Sequence, residues 1–122
     1  MNPVHENESG LFQEIAKKNE VIFGQLSFLI IKPGHSRGNH YHKRKVEWFC
    51  CLHGKCELLL TEVNKKSKRC ILLDSSNREL VKVNPFENHI LNNKNNAKDC
   101  EILIIISEEY DESDPDTFKF EE

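Results

Sequence analysis

At 122 residues, 38% hydrophobic and 30% charged, the chain has the size and composition of one soluble globular domain, residues 1–122, with a core that needs no disulfide staples. No apolar run approaches the roughly 20 residues that cross a bilayer, and the polar, acidic start does not resemble a signal peptide, so a cytoplasmic protein without a membrane partner is expected. The net charge of −3 divides into an acidic segment, 108–122, with 8 of the 20 acids, and a body with 16 Lys/Arg against 12 Asp/Glu; that body suits a small anionic ligand, and its basic residues are too scattered for nucleic acid.

Residues 1–10 carry no pattern and are expected to be flexible. Leu11 to Lys18 places Leu11, Ile15 and Lys18 on one helical face over about two turns, which fits a short N-terminal helix or an irregular strand. From Val21 onward the chain breaks into β-rich runs: Val21 to Lys32, Val46 to Leu52, Glu57 to Val63, Arg69 to Leu73, Leu80 to Val83, His89 to Asn92 and Cys100 to Ser107. Turn residues such as Pro33-Gly34, His53-Gly54 and Asn84-Pro85 separate them, the pattern of an all-β sandwich or barrel of about eight strands. Around Cys56 to Thr61 apolar residues occupy both faces, which points to a closed or double-layered sheet and to a dimer. The five cysteines, Cys50, Cys51, Cys56, Cys70 and Cys100, are odd in number, lack C-x-x-C spacing and lie in or beside apolar runs. They read as reduced thiols used as small hydrophobes.

The chemistry concentrates around His40 and His42. If that segment is extended, residues two apart share a face, and both imidazoles reach one metal ion. Glu47 has the wrong parity for an unbroken strand, but a turn or bulge at Lys43-Arg44-Lys45 resets the phase. His89, on a later strand, completes a set of three imidazoles and one carboxylate. Such ligands suit zinc, iron, manganese or nickel without choosing among them. Tyr41 alternates away from the pair and packs elsewhere. Arg37 and Asn39, read as loop residues before the site, are candidates for phosphate or sugar contact, with a structural salt bridge as the other reading for Arg37. His5, His35 and His53 are loop histidines with no assigned role.

The run Gly34-x5-His40-x-His42-x4-Glu47-x6-Gly54 resembles the first motif of the cupin superfamily. Pro85-Phe-Glu-Asn-His89-Ile-Leu-Asn-Asn93 is similar to the second, without its glycines and one residue shorter between proline and histidine. The longer phrase from Lys32 to His42, followed by Lys45-Val-Glu-Trp-Phe49, looks like the C-terminal cupin domain of bifunctional epimerase-reductases of capsular-polysaccharide and aminosugar biosynthesis. Phe12-Gln-Glu-Ile, Gly24-Gln-Leu-Ser and the tail Glu108 to Phe118 extend that resemblance over most of the chain.

The resemblance implies a zinc-bearing jelly roll that epimerises a 4-keto nucleotide sugar at the carbon next to the ketone, as a homodimer and beside a reductase. The matched residues imply His42, Glu47 and His89 as ligands and His40 as either a fourth ligand or the catalytic base. Pro115 to Phe118 is expected to anchor the acidic tail to the body or to a dimer mate. Two other readings fit the same motifs: a non-catalytic cupin that binds a sugar or a biosynthetic partner, and an iron-dependent dioxygenase.

Overall fold

Turn residues cut the chain into short aliphatic and aromatic runs, and strands form on those runs. The computed structural model describes residues 3–121. It contains β1 (Val4–Asn7), β2 (Gly10–Gln13), β3 (Gln25–Ile31), β4 (Ser36–Tyr41), β5 (Glu47–His53), β6 (Lys55–Glu62), β7 (Lys68–Asp74), β8 (Val81–Val83), β9 (Glu87–Asn92), β10 (Cys100–Ile106) and β11 (Phe118–Lys119). There is no helix among the described residues: of the two readings of Leu11 to Lys18, the strand holds over Gly10–Gln13 and irregular chain follows.

β1 and β2 form a separate antiparallel hairpin. The other strands form two antiparallel sheets, β3-β10-β5-β8 and β11-β4-β9-β6-β7, the double-layered, cupin-type jelly roll expected of runs that are apolar on both faces. Their inner faces supply one core, in which Ile31, Phe49, Cys51, Cys56, Leu58, Leu60, Leu73, Val83, Leu91, Cys100 and Ile102 are at most 2% exposed. A buried leucine or isoleucine of this kind contributes about 1.5–3 kcal/mol.

Asn93 closes one end of the core. Fully buried, it donates from Nδ2 to the carbonyls of Ile31 and Lys98, so the terminal asparagine of the second motif ties β3 to the loop before β10.

All five cysteines are free. Cys50, Cys51, Cys56 and Cys100 are buried, whereas Cys70 is exposed on β7, so the small-hydrophobe reading holds for four of them. Burial pushes the Cys50 thiol up to about 11, which leaves it protonated and unreactive at neutral pH. Among the described residues no helix is long and apolar enough to cross a membrane.

Candidate metal centre

A backbone irregularity sets the position of the first two histidines. β4 pairs with β9 through Arg37↔Leu91 and Gly38↔Ile90, then skips Asn39 and resumes at His40↔His89. Gly38 and Asn39 both have positive φ, 104° and 68°. The Gly-Asn step is a bulge, and it returns odd-numbered Arg37 and even-numbered His40 to the same, core-facing side. A Cβ on Gly38 would lie 2.7 Å from the His89 carbonyl oxygen, so glycine is what lets β4 approach β9 here.

Arg37 and Asn39 are therefore strand residues rather than loop residues. Arg37 is exposed and borders a cleft of about 220 Å³ lined also by Lys32, His35 and Ser36. The Asn39 carboxamide oxygen accepts a 3.2 Å hydrogen bond from Asn88 Nδ2, which holds the bulge.

The second irregularity carries the chain from His42 to Glu47. After β4, residues 43–46 turn, and Glu47 opens β5 opposite Val83 and Ile106. The turn at Lys43-Arg44-Lys45 gives the phase reset that the spacing called for. Three backbone N–H groups of this turn, those of Lys43, Arg44 and Lys45, donate at 2.9–3.0 Å to the carboxylate of Asp116. Tyr41 does point away from the histidines: its ring stacks on Phe118 at 5.6 Å and meets Phe120 edge-on at 6.5 Å. The tail thus docks on its own chain through Asp116, Phe118 and Phe120.

Together these elements bring His40, His42 and His89 to one point. Each offers a ring nitrogen, and the three nitrogens lie within 4.8 Å of one another. Glu47 Oε1 stands 2.8 Å from His42 Nε2 and 3.6 Å from His89 Nε2. The Phe49 ring, edge-on to His89 at 5.6 Å, forms an apolar floor. His42, Glu47 and His89 are buried, while His40 is half-buried, so His40 is the most solvent-accessible of the four. Three convergent imidazoles, a carboxylate and an apolar floor fit a divalent metal of the zinc, iron, manganese or nickel kind. His5, His35 and His53 join no such group among the described residues.

The electrostatics agree with this geometry. Burial lowers His89 to about 4, with the charges of His40 and His42 adding to the effect and Glu47 opposing it. Burial and the neighbouring His42 also lower His40. His42 and Glu47 go the other way. Burial disfavours both charges, but their mutual hydrogen bond and attraction outweigh it, so His42 is raised and Glu47 lowered. Each partner thus favours the charged form of the other in the metal-free protein. His42 Nδ1 also contacts the backbone carbonyl of Asp116 at 2.5 Å, so each of its ring N–H groups has an acceptor.

The family model "Polysaccharide biosynthesis C-terminal domain" matches residues 5–118. The chain belongs to this family. A curated relative of this polysaccharide-biosynthesis domain, the UDP-2-acetamido-2,6-beta-L-arabino-hexul-4-ose reductase of Pseudomonas aeruginosa, is 28% identical over 95% of the chain and 30% of the relative. Among solved structures, the capsular polysaccharide assembling protein CapF of Staphylococcus aureus superposes with a TM-score of 0.77 at 27% identity, over 100% of this chain and 35% of CapF. The dTDP-4-dehydrorhamnose 3,5-epimerase of Bacillus anthracis gives a TM-score of 0.82 at 16% identity, over 95% of this chain and 73% of that one. The last likeness shows the fold alone. The chain spans about a third of the length of the first two proteins.

One residue of the site, Asp116, was expected from the sequence only as part of the anchoring segment Pro115 to Phe118. Its contact with a candidate ligand runs through a backbone carbonyl, which residue type does not reveal. The pairing of Phe118 with Tyr41 and of Lys119 with His40 was equally hidden, because β11 has only two residues.

Proposed function

We propose that this domain epimerises a 4-keto nucleotide sugar at C3 by enolisation, in the making of surface-polysaccharide precursors, with His42, Glu47 and His89 around a divalent metal, zinc first among them, and His40 beside it as the base rather than a fourth ligand. The observation that carries the reading is the convergence of three imidazoles and Glu47 on the inner face of the barrel, in a family named for polysaccharide biosynthesis. A metal there supplies Lewis-acid polarisation of the ketone oxygen. The chain supplies the rest. His40 is half-buried and lowered, hence neutral at pH 7, and is the member placed to take the C3 proton. As that C–H bond breaks, its electron pair moves into the C3–C4 bond and the carbonyl π pair onto O4. As the O4 pair re-forms the carbonyl, the C3–C4 electron pair takes a solvent-derived proton on the opposite face, which inverts the centre, and His40 gives its proton up to solvent. Arg37 and Asn39, beside His40 on β4, are proposed to contact phosphate and sugar.

The test is exchange. Protein loaded with Zn²⁺ and given a UDP-linked 4-keto-6-deoxy hexosamine in deuterated water is expected to incorporate deuterium at C3, and His40→Gln to stop it. No exchange across several 4-keto nucleotide sugars rejects the epimerase and leaves a sugar- or partner-binding cupin. The His42–Glu47 hydrogen bond of 2.8 Å supports a second reading, in which the same residues act as an acid–base dyad without metal; exchange that persists in EDTA selects it. Oxygen consumption with Fe²⁺ would instead select the dioxygenase.

A reductase that consumes the epimerised ketone is the enzymatic partner we propose, because an epimerisation needs a following step to draw it forward. A second copy of this chain is the other. On β3, Leu26, Phe28 and Ile30 are 53%, 55% and 44% exposed, and they pair with Ile105, Leu103 and Glu101 of β10. Leu26, Phe28 and Ile30 with Leu103 and Ile105 make an apolar outer sheet face, bordered by Glu101. Elsewhere, on the β1–β2 hairpin, Phe12 is 66% exposed. Sedimentation is expected to give a dimer that Phe28→Glu dissociates; a monomer for the unaltered chain at micromolar concentration rejects this.

A further inference from the structure

Asp116 follows His42 by 74 residues, yet it holds both His42 and the turn that leads from it to Glu47. Its Oδ1 accepts the N–H of Lys43 at 3.0 Å, and its Oδ2 accepts those of Arg44 and Lys45 at 2.9 Å each. Its main-chain carbonyl accepts Nδ1–H of His42 at 2.5 Å. The residue is 4% exposed and has a φ of 48°, a left-handed conformation that Asp, Asn and Gly adopt most easily. On one side, Lys45 Nζ donates to the Pro115 carbonyl at 3.1 Å. On the other, Phe118 and Lys119 pair with Tyr41 and His40. The tail is therefore fastened on both sides of Asp116, and its carbonyl has little freedom to leave His42.

We propose that Asp116 is a positioning residue of the metal centre: its carboxylate fixes the His42-to-Glu47 turn, and its carbonyl fixes the His42 ring with Nε2 toward Glu47, His40 and His89. A neutral imidazole has one N–H, and a carbonyl acceptor at Nδ1 assigns it there, leaving the Nε2 lone pair for a metal. The carboxylate has a distinct part. Without it, three successive N–H groups of the turn would turn to water, and the turn that brings Glu47 into phase with His42 would lose its template. In its affinity arm the inference rests on the metal reading of the site. In its His42 arm it does not.

The test compares the full chain with Asp116→Asn and Asp116→Gly, both compatible with the left-handed φ, and with Glu108→Gln as control. Glu108 bonds the Arg44 guanidinium but none of these N–H groups. In EDTA-treated protein, the His42 Nδ1–H resonance in ¹H–¹⁵N spectra is expected to be downfield and protected from exchange. It should broaden or vanish in both Asp116 variants and persist in Glu108→Gln. By chelator competition, Zn²⁺ is expected to bind about 10- to 100-fold more weakly to the Asp116 variants, as for other second-layer partners of metal ligands, and within twofold of the unaltered chain to the control. Asp116→Asn with an unaltered resonance and Zn²⁺ affinity within twofold overturns the proposal. If the unaltered chain binds no Zn²⁺, the metal reading fails, while the resonance comparison still decides the positioning of His42. If the glycine variant does not fold, the asparagine variant decides.

Discussion

Replacing Gly38 with alanine separates two costs that usually arrive together. At φ 104° an alanine leaves the regions that L-residues favour, a penalty of about 1–2 kcal/mol. Its Cβ would also stand 2.7 Å from the His89 carbonyl oxygen, a backbone atom that cannot swing aside, which adds about 1–3 kcal/mol of overpacking. Gly34 is the internal control: its φ is 83°, but nothing lies within 4 Å of a built Cβ, so only the first penalty applies. With an unfolding entropy near 2.1 cal/mol/K per residue, 1 kcal/mol corresponds to about 4 °C for a chain of this length. Scanning calorimetry of metal-free protein is then expected to show a Tm loss of roughly 8–20 °C for Gly38→Ala and roughly 4–8 °C for Gly34→Ala. Because the bulge also sets His40 opposite His89, Gly38→Ala should weaken Zn²⁺ binding at least tenfold and Gly34→Ala should not. Equal Tm losses in the two variants, or Zn²⁺ affinity unchanged by Gly38→Ala, would refute the reasoning.

Three further outcomes follow from the centre itself. In metal-free protein, His89, lowered from 6.5 to about 4, makes the unfolded chain hold a proton that the folded one lacks; stability should fall on acidification across that window, by at most about 3 kcal/mol. His42, raised by Glu47, contributes stability that is present below about 6.5 and lost as pH rises through its folded value, so urea denaturation in EDTA should find a maximum near pH 6.5. His89→Gln should flatten the acid limb and His42→Gln the alkaline one; a curve indifferent to both variants counts against these assignments. Glu47→Gln leaves the buried imidazolium of His42 without its counter-charge, and chemical denaturation should register a loss of about 3 kcal/mol at pH 6, a loss that vanishes in the His42→Gln background if the pair is its cause. Finally, His42→Ala or His89→Ala should abolish stoichiometric metal measured by atomic emission, and retention of one ion per chain in both would reject the ligand set.

The histidine pair was legible because a strand has a period of two whatever surrounds it: His40 and His42 had to share a face once the segment was extended. Glu47 was legible through its fixed distance from the histidines in the cupin-like motif, and the anomaly of its parity required a break in the strand and thereby located the turn at Lys43 to Lys45. The Gly38-Asn39 bulge left its signal in a Gly-Asn dipeptide, but that signal reads equally as a loop, and Arg37 and Asn39 were placed on one. The hairpin of β1 and β2 was legible only in part: an irregular strand fitted the segment that begins at Leu11, but nothing marked β1 as its partner. Its residues from Val4 to Phe12, all exposed, lack the inside-outside contrast that a buried strand writes into sequence, since apolar Phe12 faces outward as polar His5 does.

Asp116 marks a different limit. Its aspartate identity matters for the three N–H groups it accepts, yet its hold on His42 runs through a carbonyl that every residue possesses. What selects position 116 is where the fold returns the chain: Phe118 and Phe120 dock on Tyr41, and that docking brings the preceding carbonyl beneath His42. The apolar residues of the tail are thus part of how the centre is built. Shortening Phe118 or Phe120 to alanine should broaden the His42 Nδ1–H resonance of the EDTA-treated protein, whereas removing the acids at 109 and 112, which accept none of the three turn N–H bonds that Asp116 accepts, should leave it sharp; a resonance indifferent to both phenylalanines counts against the docking argument.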